Sequence, residues 1–500
     1  MSDPRRYPRV STCSSSGGGG PIEVTGTVDI GNTVDVTGTV GITGPIEVTG
    51  TVGVTGPIEV TGTVGINLAT NGSGDAFNRL RVSNPFTLFE FNSILGKGDS
   101  STKQVYIDET LTGTATSTHM PGDSYVKMAV ATIGDTVVRQ SHEYILYQPG
   151  KSKLIYMTGV LHMDTTATTG ITSRMGTFDV SMGYFLEYSN GVVSIVERVQ
   201  DGTENRHNRG TWLDNFDGLG PSGISSIDFT KAQILIFDFE WLGVGQVRCG
   251  LITEGAIHYF YKFTHKDALT APYITTAKLP LRYEISSTAT GATGEMRMIC
   301  GTVISEGGFI PPGATFIYPT GPALGYSSAY PSGTIVPYWE TDSPAIETFV
   351  PIVSIRPKST SPARYGTIKI KLVDLFSTDA TKWGCWRLVL NGTVTNPAGP
   401  ITYVDHDAAG SIAEVRFHKH LSGEAATNDV YTANTGKILY ENFFAGRSNS
   451  ILYNGTEELL AAPSITVNLN GVQDTITLVC NNLSSSTLKI YAFIQWIELL

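Results

Sequence analysis

Charge is scarce in this sequence. Asp, Glu, Lys and Arg make up 16% of its 500 residues, well under the usual quarter. Acidic residues lead basic ones by 45 to 34, for a net charge of −11. That balance excludes nucleic-acid binding driven by bulk charge. The one basic cluster, Arg5, Arg6 and Arg9, sits in a Ser- and Gly-rich leader and reads as a docking tail. Cysteine is scarcer still: Cys13, Cys249, Cys300, Cys385 and Cys480 are scattered and form no CxxC. This removes the short zinc and dithiol motifs and points to reduced thiols in a chain assembled in a reducing compartment. No apolar run is long enough for a membrane span; the most apolar segment, LKIYAFIQWIELL (488–500), is short and carries Lys489 and Glu498. The opening MSDPRRYPRVSTCSSS has no apolar h-region, so no secretory signal is read there. Long amphipathic helices are missing too, and TEELLAAP (456–463) is the best short helical stretch.

What the sequence does have is repetition. Residues 21–68 read as eight hexads: PIEVTG, TVDIGN, TVDVTG, TVGITG, PIEVTG, TVGVTG, PIEVTG and TVGINL. Their second and fourth positions are Val or Ile without exception: Ile22, Val24, Val28, Ile30, Val34, Val36, Val40, Ile42, Ile46, Val48, Val52, Val54, Ile58, Val60, Val64 and Ile66. Apolar residues two apart share one strand face, β-branching favours the strand, and the Gly closing most hexads permits a turn. Each hexad therefore reads as a short strand and a corner. Such a strand cannot bury its face alone, so repeats must stack. Three chains wound together would close a dry interior, with these sixteen side chains as the trimer core. The expectation is a trimeric β-helical shaft. A single-chain β-solenoid and a Thr/Gly linker are the alternatives, and a linker has no need of apolar periodicity.

From residue 86 onward the pattern is strands of moderate length broken by Gly, Pro, Asn and Asp. Examples are YVKMAVATI, KLIYMTGVLHM, VVSIVERV, AQILIFDFEWLGV, GTIKIKLVDLF, WRLVLNGTV, SITVNL and TITLVC. In one of them Ile234, Ile236, Asp238 and Glu240 alternate with Leu235, Phe237 and Phe239. Many short strands with turn signals imply sandwiches or barrels. A Pro/Gly/Ser/Tyr-rich stretch at 307–337 divides them. The expected fold class is all-β: a flexible tail at 1–20, the hexad shaft at 21–68, a junction at 69–85, a β-sandwich or jelly-roll-like domain at 86–306, a linker at 307–337 and a second such domain at 338–500.

Motifs that carry chemistry are weak. QPGKS (148–152) lacks the earlier Gly of a phosphate-binding loop and reads as a turn. HEYIL (142–146) has Leu where a zinc-protease helix needs its second His. GVGQVR (243–248) lacks the third Gly of a dinucleotide site. The best metal candidate is YVDHDAAGSIAEVRFHKH (403–420): His418 and His420 share a strand face, and Asp405, His406 and Asp407 approach across a hairpin. An exposed polar hairpin with incidental histidines is the simpler reading. The acid pairs Asp214/Asp217 and Asp238/Glu240 could in principle serve glycoside hydrolysis, but carboxylate pairs at such spacing are common and nothing in the sequence aims them at a cleft. No Ser/His/Asp set can be picked out, and neither a catalytic residue nor a cofactor is expected.

The segment DAFNRLRVSNPFTLFE (75–90) resembles the opening of a family of virion structural proteins of tailed phages and large double-stranded DNA viruses. Further matching stretches follow in the same order: YQPGKSKLIYMTGVL (147–161), RMGTFD (174–179), WLDNFDGLGPSGISSIDFTKAQILIFDFEWLGVGQVRCG (212–250), LPLRYEI (279–285) and ICGTVISEGG (299–308). PIVSIRPK (351–358) resembles the continuation. The resemblance implies a virion component, assembled in the host cytoplasm, with no assigned catalytic residue. Combined with the hexads, it leads to the expectation of a homotrimeric fibre or spike. Such a spike would dock to other virion proteins through 1–20 and 21–68, present its β domains to a host-surface glycan or receptor, and contact neither nucleic acid nor membrane. The rivals are a cementing capsid component, whose repeat adds strands to neighbouring sheet edges, and a polysaccharide-degrading spike.

Overall fold

The alternation in AQILIFDFEW is realised residue by residue. In the computed structural model, Leu235, Phe237 and Phe239 lie in the main hydrophobic core, while Asp238 is buried on the opposite face in a polar network. The structure describes residues 85–99, 107–163, 169–199, 201–309, 313–319, 339–341, 349–360, 365–377, 381–406, 410–418, 428–445, 447–448, 451–452, 462–484 and 488–499. All belong to one unit, Ile66–Leu500.

The first half is built from β1 (Pro85–Asn92), β2 (Ile107–Thr112), β3 (Thr116–Met120), β4 (Tyr125–Val130), β5 (Thr136–Ser141), β6 (Ser152–Val160), β7 (Ile171–Phe178), β8 (Gly183–Ser189), β9 (Val192–Arg198), β10 (Glu204–Asn208), β11 (Gln233–Phe239), β12 (Gln246–Thr253), β13 (Ala256–Thr264), β14 (Leu281–Ser287) and β15 (Gly294–Glu306). They form two antiparallel sheets. The first runs β13-β12-β11-β6-β15-β4-β3, with β1 added on β15; the second runs β10-β9-β8-β7-β14-β5-β2. The sheets face each other across one core, to which the first contributes Met157, Phe237 and Val303 and the second Tyr184, Ile195 and Tyr283. Each such side chain contributes about 1.5–3 kcal/mol on burial. Gly176 of β7 is set by close approach: a Cβ there would stand 2.1 Å from the Tyr184 carbonyl oxygen and 2.5 Å from Phe185 Cα. On its other face the second sheet carries a cross-strand ladder of ion pairs. Arg174 joins Glu187 at 2.8 Å and Glu284 at 3.0 Å, and Arg206 joins Glu187 at 2.7 Å.

The second half comprises β16 (Ala314–Pro319), β17 (Trp339–Thr341), β18 (Val350–Pro357), β19 (Thr367–Ser377), β20 (Trp383–Leu390), β21 (Val394–Thr395), β22 (Val404–Asp405), β23 (Ala413–Phe417), β24 (Val430–Tyr431), β25 (Lys437–Ala445), β26 (Arg447–Ser448), β27 (Ile451–Leu452), β28 (Ser464–Ile465), β29 (Ile476–Asn482) and β30 (Leu488–Leu499). One third sheet runs β16-β30-β19-β26-β25-β20-β29-β18-β23-β22, and β21 pairs with β24 apart from it. Residues from both ends of this path, Trp496 of β30 and Ile355 of β18, share one core with Trp386.

The expected fold class is corrected here. The described sheets are open and antiparallel, each ending in edge strands, and none closes into a barrel or coils into a solenoid. Their strands pair side by side through hairpins and long-range partners, whereas a β-helical shaft requires short strands stacked coil upon coil. The second half is one continuous sheet rather than a separate pair. The sixteen Val and Ile side chains from Ile22 to Ile66 lie outside the described residues, as does most of TEELLAAP. Among the described residues the only helical element is a single turn, Arg209–Thr211.

Candidate functional site

Two edge strands, β10 of the second sheet and β13 of the first, border the same open mouth of the paired sheets. Both have a partner on one side only. Between them lies a groove of about 540 Å³, lined among others by Glu197, Asn205, His207, Tyr261, Lys262 and His265. Strand periodicity places these residues. Asn205 and His207, two apart on β10, stand opposite Glu197 and Ile195 of β9. On β13 a bulge at Cys249/Gly250 sets Tyr261 opposite the core residue Cys249. His207 and Tyr261 stack at 4.7 Å and 26°, joining the two edges, and Phe263 meets Tyr261 edge-on at 4.9 Å.

The floor is a fixed carboxylate. Glu197 accepts hydrogen bonds from Tyr184 Oη at 2.8 Å, Asn205 Nδ2 at 3.2 Å and His265 Nε2 at 2.5 Å. The other ring nitrogen of His265 meets the Gly245 carbonyl at 2.6 Å, and the ring stacks on Tyr273 at 3.8 Å. Both ring nitrogens thus face acceptors, which calls for two N–H groups. Burial resists charging of Glu197, but the His265 bond and charge outweigh it and hold the carboxyl below its ordinary range. Burial likewise opposes charge on His265, and the bond to Glu197 wins, so its pKa is raised. Glu204 at the rim is also held low: burial works against its charge, but its bond to Arg198 and the charge of Arg174 prevail. Both groove carboxyls are thus held below the ordinary carboxylate range. The groove therefore offers aromatic surface and a rigid acceptor floor.

The residues singled out in the sequence are dispersed. Asp405 pairs with Lys358 at 3.2 Å. His406 packs against Trp496 at 4.8 Å and Phe316 at 5.6 Å. Asp407 and His420 lie outside the described residues. Among the described residues no group of three His, Cys, Asp or Glu side chains could hold a metal ion. Asp214 holds its own loop, accepting from the Phe216 and Ser222 amides at 2.9 and 2.8 Å. Asp238 belongs to a buried ion pair with Arg248 at 2.5 Å.

His418 has a different setting, which sequence reading missed. Its Nε2 lies 2.7 Å from Ser354 Oγ and its Nδ1 lies 2.8 Å from Asp429 Oδ2. Burial outweighs Asp429 and lowers the pKa of His418. These are the contacts of a serine–histidine–aspartate relay. Yet Ser354, His418, Asp429 and Thr477, whose hydroxyl also meets Ser354 at 2.7 Å, are 0% exposed. A nucleophile needs an approaching substrate, and this one is sealed; the group clasps β18, β29 and the segment around Asp429. A fluorophosphonate probe is expected to leave Ser354 unlabelled in the folded protein. Ser354→Ala, which strands buried partners, should cost about 1–3 kcal/mol in urea unfolding.

No family model matches this chain, and no curated protein does. Several solved structures are similar to less than half of it. The binding domain of botulinum neurotoxin DC is similar over 45% of this chain at 8% identity and TM-score 0.29, and the match spans 49%, about half, of that chain. A carbohydrate esterase from Shiga toxin-encoding bacteriophage phi24B is similar over 44% of this chain and 99% of its own, at 14% identity and TM-score 0.28. An endo-1,3-beta-glucanase from Streptomyces sioyaensis is similar over 45% and 97%, at 9% identity and TM-score 0.31. Likenesses this distant transfer neither fold nor function, and the groove is read from its own residues.

Proposed function

We propose that this chain is a structural virion component whose paired sheets display a carbohydrate-recognition groove. The virion assignment is supported by the ordered run of segments from DAFNRLRVSNPFTLFE to ICGTVISEGG. Recognition is supported by one observation above the rest: the His207–Tyr261 stack bridging the two sheet edges over a pinned Glu197. A sugar ring offers an apolar C–H face and a rim of hydroxyls. Aromatic rings suit the first, and Asn205 on the neighbouring edge suits the second. Glu197 is already engaged by Tyr184, Asn205 and His265, so the site is read as one of recognition rather than cleavage.

Immunogold labelling of intact particles with an antibody to the paired sheets tests display. Gold on the outer surface is the expected result. Labelling that appears only after particles are broken open would contradict it.

A further inference from the structure

The second site lies where the paired sheets meet the third sheet. His142 follows β5 and lines a cleft of about 630 Å³, so solvent reaches its ring. Its Nδ1 is 2.8 Å from Asp108 Oδ1, on the neighbouring strand β2. Its Nε2 is 2.6 Å from Asp474 Oδ2, in the segment leading into β29. Ionised carboxylates only accept, so a ring held between two of them needs an N–H on each nitrogen. The carboxylates are fixed in turn. Asp108 accepts from the Leu469 amide at 2.8 Å, and Asp474 from Asn391 Nδ2 at 2.9 Å and the Thr466 amide at 3.2 Å. Removing one ring proton turns a lone pair toward a carboxylate at one end of this bridge.

We propose that His142 is a proton-operated clamp: doubly protonated, it ties the 464–474 segment of the third sheet to the paired sheets, and on losing one proton it loosens that seam.

Other charged groups face the seam from the elements around it. Glu143 accepts from Ser464 Oγ at 2.5 Å and lies 3.9 Å from Lys369 of β19. Lys278 donates to the Leu499 carbonyl at 2.8 Å, and Lys153 to the Ala277 carbonyl at 2.8 Å. Glu90 and Lys437 line the cleft. Burial opposes the His142 charge, but the bonds to Asp108 and Asp474 hold its pKa well above the ordinary 6.5. The clamp's contribution is therefore complete below about pH 6.5 and fades as pH rises through the folded-state value. Asp474 sets the acid limit: burial raises its pKa, the His142 bond and charge outweigh this, and its contribution is lost only as pH falls below about 3.8. Lys153 and Lys278 act in the opposite sense. Burial lowers both to about 7, so their charging penalty is relieved as pH rises. A global melting curve mixes these effects, and the readout must be local.

Hydrogen exchange of the Leu469 and Thr466 amides, corrected for intrinsic rate, is measured on the full chain from pH 5 to 10. Protection should hold to about pH 6.5 and then fall. In Asp474→Asn, which leaves Asp108 facing Leu469, the Leu469 midpoint should move down by about 1–3 pH units, the range expected when one opposite charge is removed. In His142→Gln the pH dependence should vanish, and this variant carries the test if Asp474→Asn does not fold. Wild-type protection unchanged to pH 10, or the same midpoint in Asp474→Asn, would overturn the clamp.

Discussion

Asp238→Ala is expected to destabilise the protein by about 3–5 kcal/mol, the range for removing one partner of a buried ion pair. Asp238 is 0% exposed and stands directly across from Arg248 on the neighbouring strand. One carboxylate oxygen takes Arg248 at 2.5 Å and Tyr259 Oη at 2.7 Å, and the other takes Ser152 Oγ at 2.8 Å. Deleting the carboxylate removes the counter-charge that meets the buried Arg248 guanidinium across the strand pair. Arg206→Ala is the contrasting case. Arg206 pairs with Glu187 and Glu204, but its side chain is 42% exposed, and a solvated pair contributes about 0–1 kcal/mol. Urea unfolding of the two variants should separate them by more than 2 kcal/mol at unchanged slope. Equal, small losses would mean that Asp238 is reached by water and that the burial described for it is wrong.

Tyr261→Ala is expected to weaken glycan binding by roughly 30-fold, the equivalent of about 2 kcal/mol for a central aromatic contact. Tyr261 is half-buried on an edge strand, joined to the second sheet through His207. Its loss removes aromatic surface while the Glu197–His265–Tyr184 floor keeps its own partners. Calorimetry with host-surface oligosaccharide measures the change, and circular dichroism should show an intact sheet spectrum. Tyr261→Phe should keep most of the affinity, because the ring rather than the hydroxyl forms the stack. A Tyr261→Ala variant that binds as the wild type does would place recognition elsewhere.

Local strand character was plain in the sequence. The residues Leu235, Phe237 and Phe239 announce a buried face, and GTIKIKLVDLF announces β19. Which strands pair was not, because β6 finds β11 and β15 across some 70 to 150 residues, and period-two alternation carries no partner information. The groove was hidden for the same reason. ENRHN and HYFYKFTH look like two unrelated polar–aromatic strands until two sheet edges bring them together; the density of His and Tyr in the second was the available signal. HEYIL drew attention as a failed zinc motif, while the meaning of His142 came from carboxylates 34 residues before it and 332 after it. His418 stood out for its HKH setting, and its contacts are with Ser354 and Asp429. Asp214, noted beside Asp217, is a loop clasp, and Asp238, noted beside Glu240, is half of an ion pair.

The most direct test is a hydrogen-exchange footprint of the full chain with and without host-surface oligosaccharide. New protection is expected only at Glu204–Asn208 and at the Tyr261–His265 end of β13, and none in Tyr261→Ala. Protection elsewhere with these two edges unchanged, or the same footprint in Tyr261→Ala, would contradict recognition at this groove.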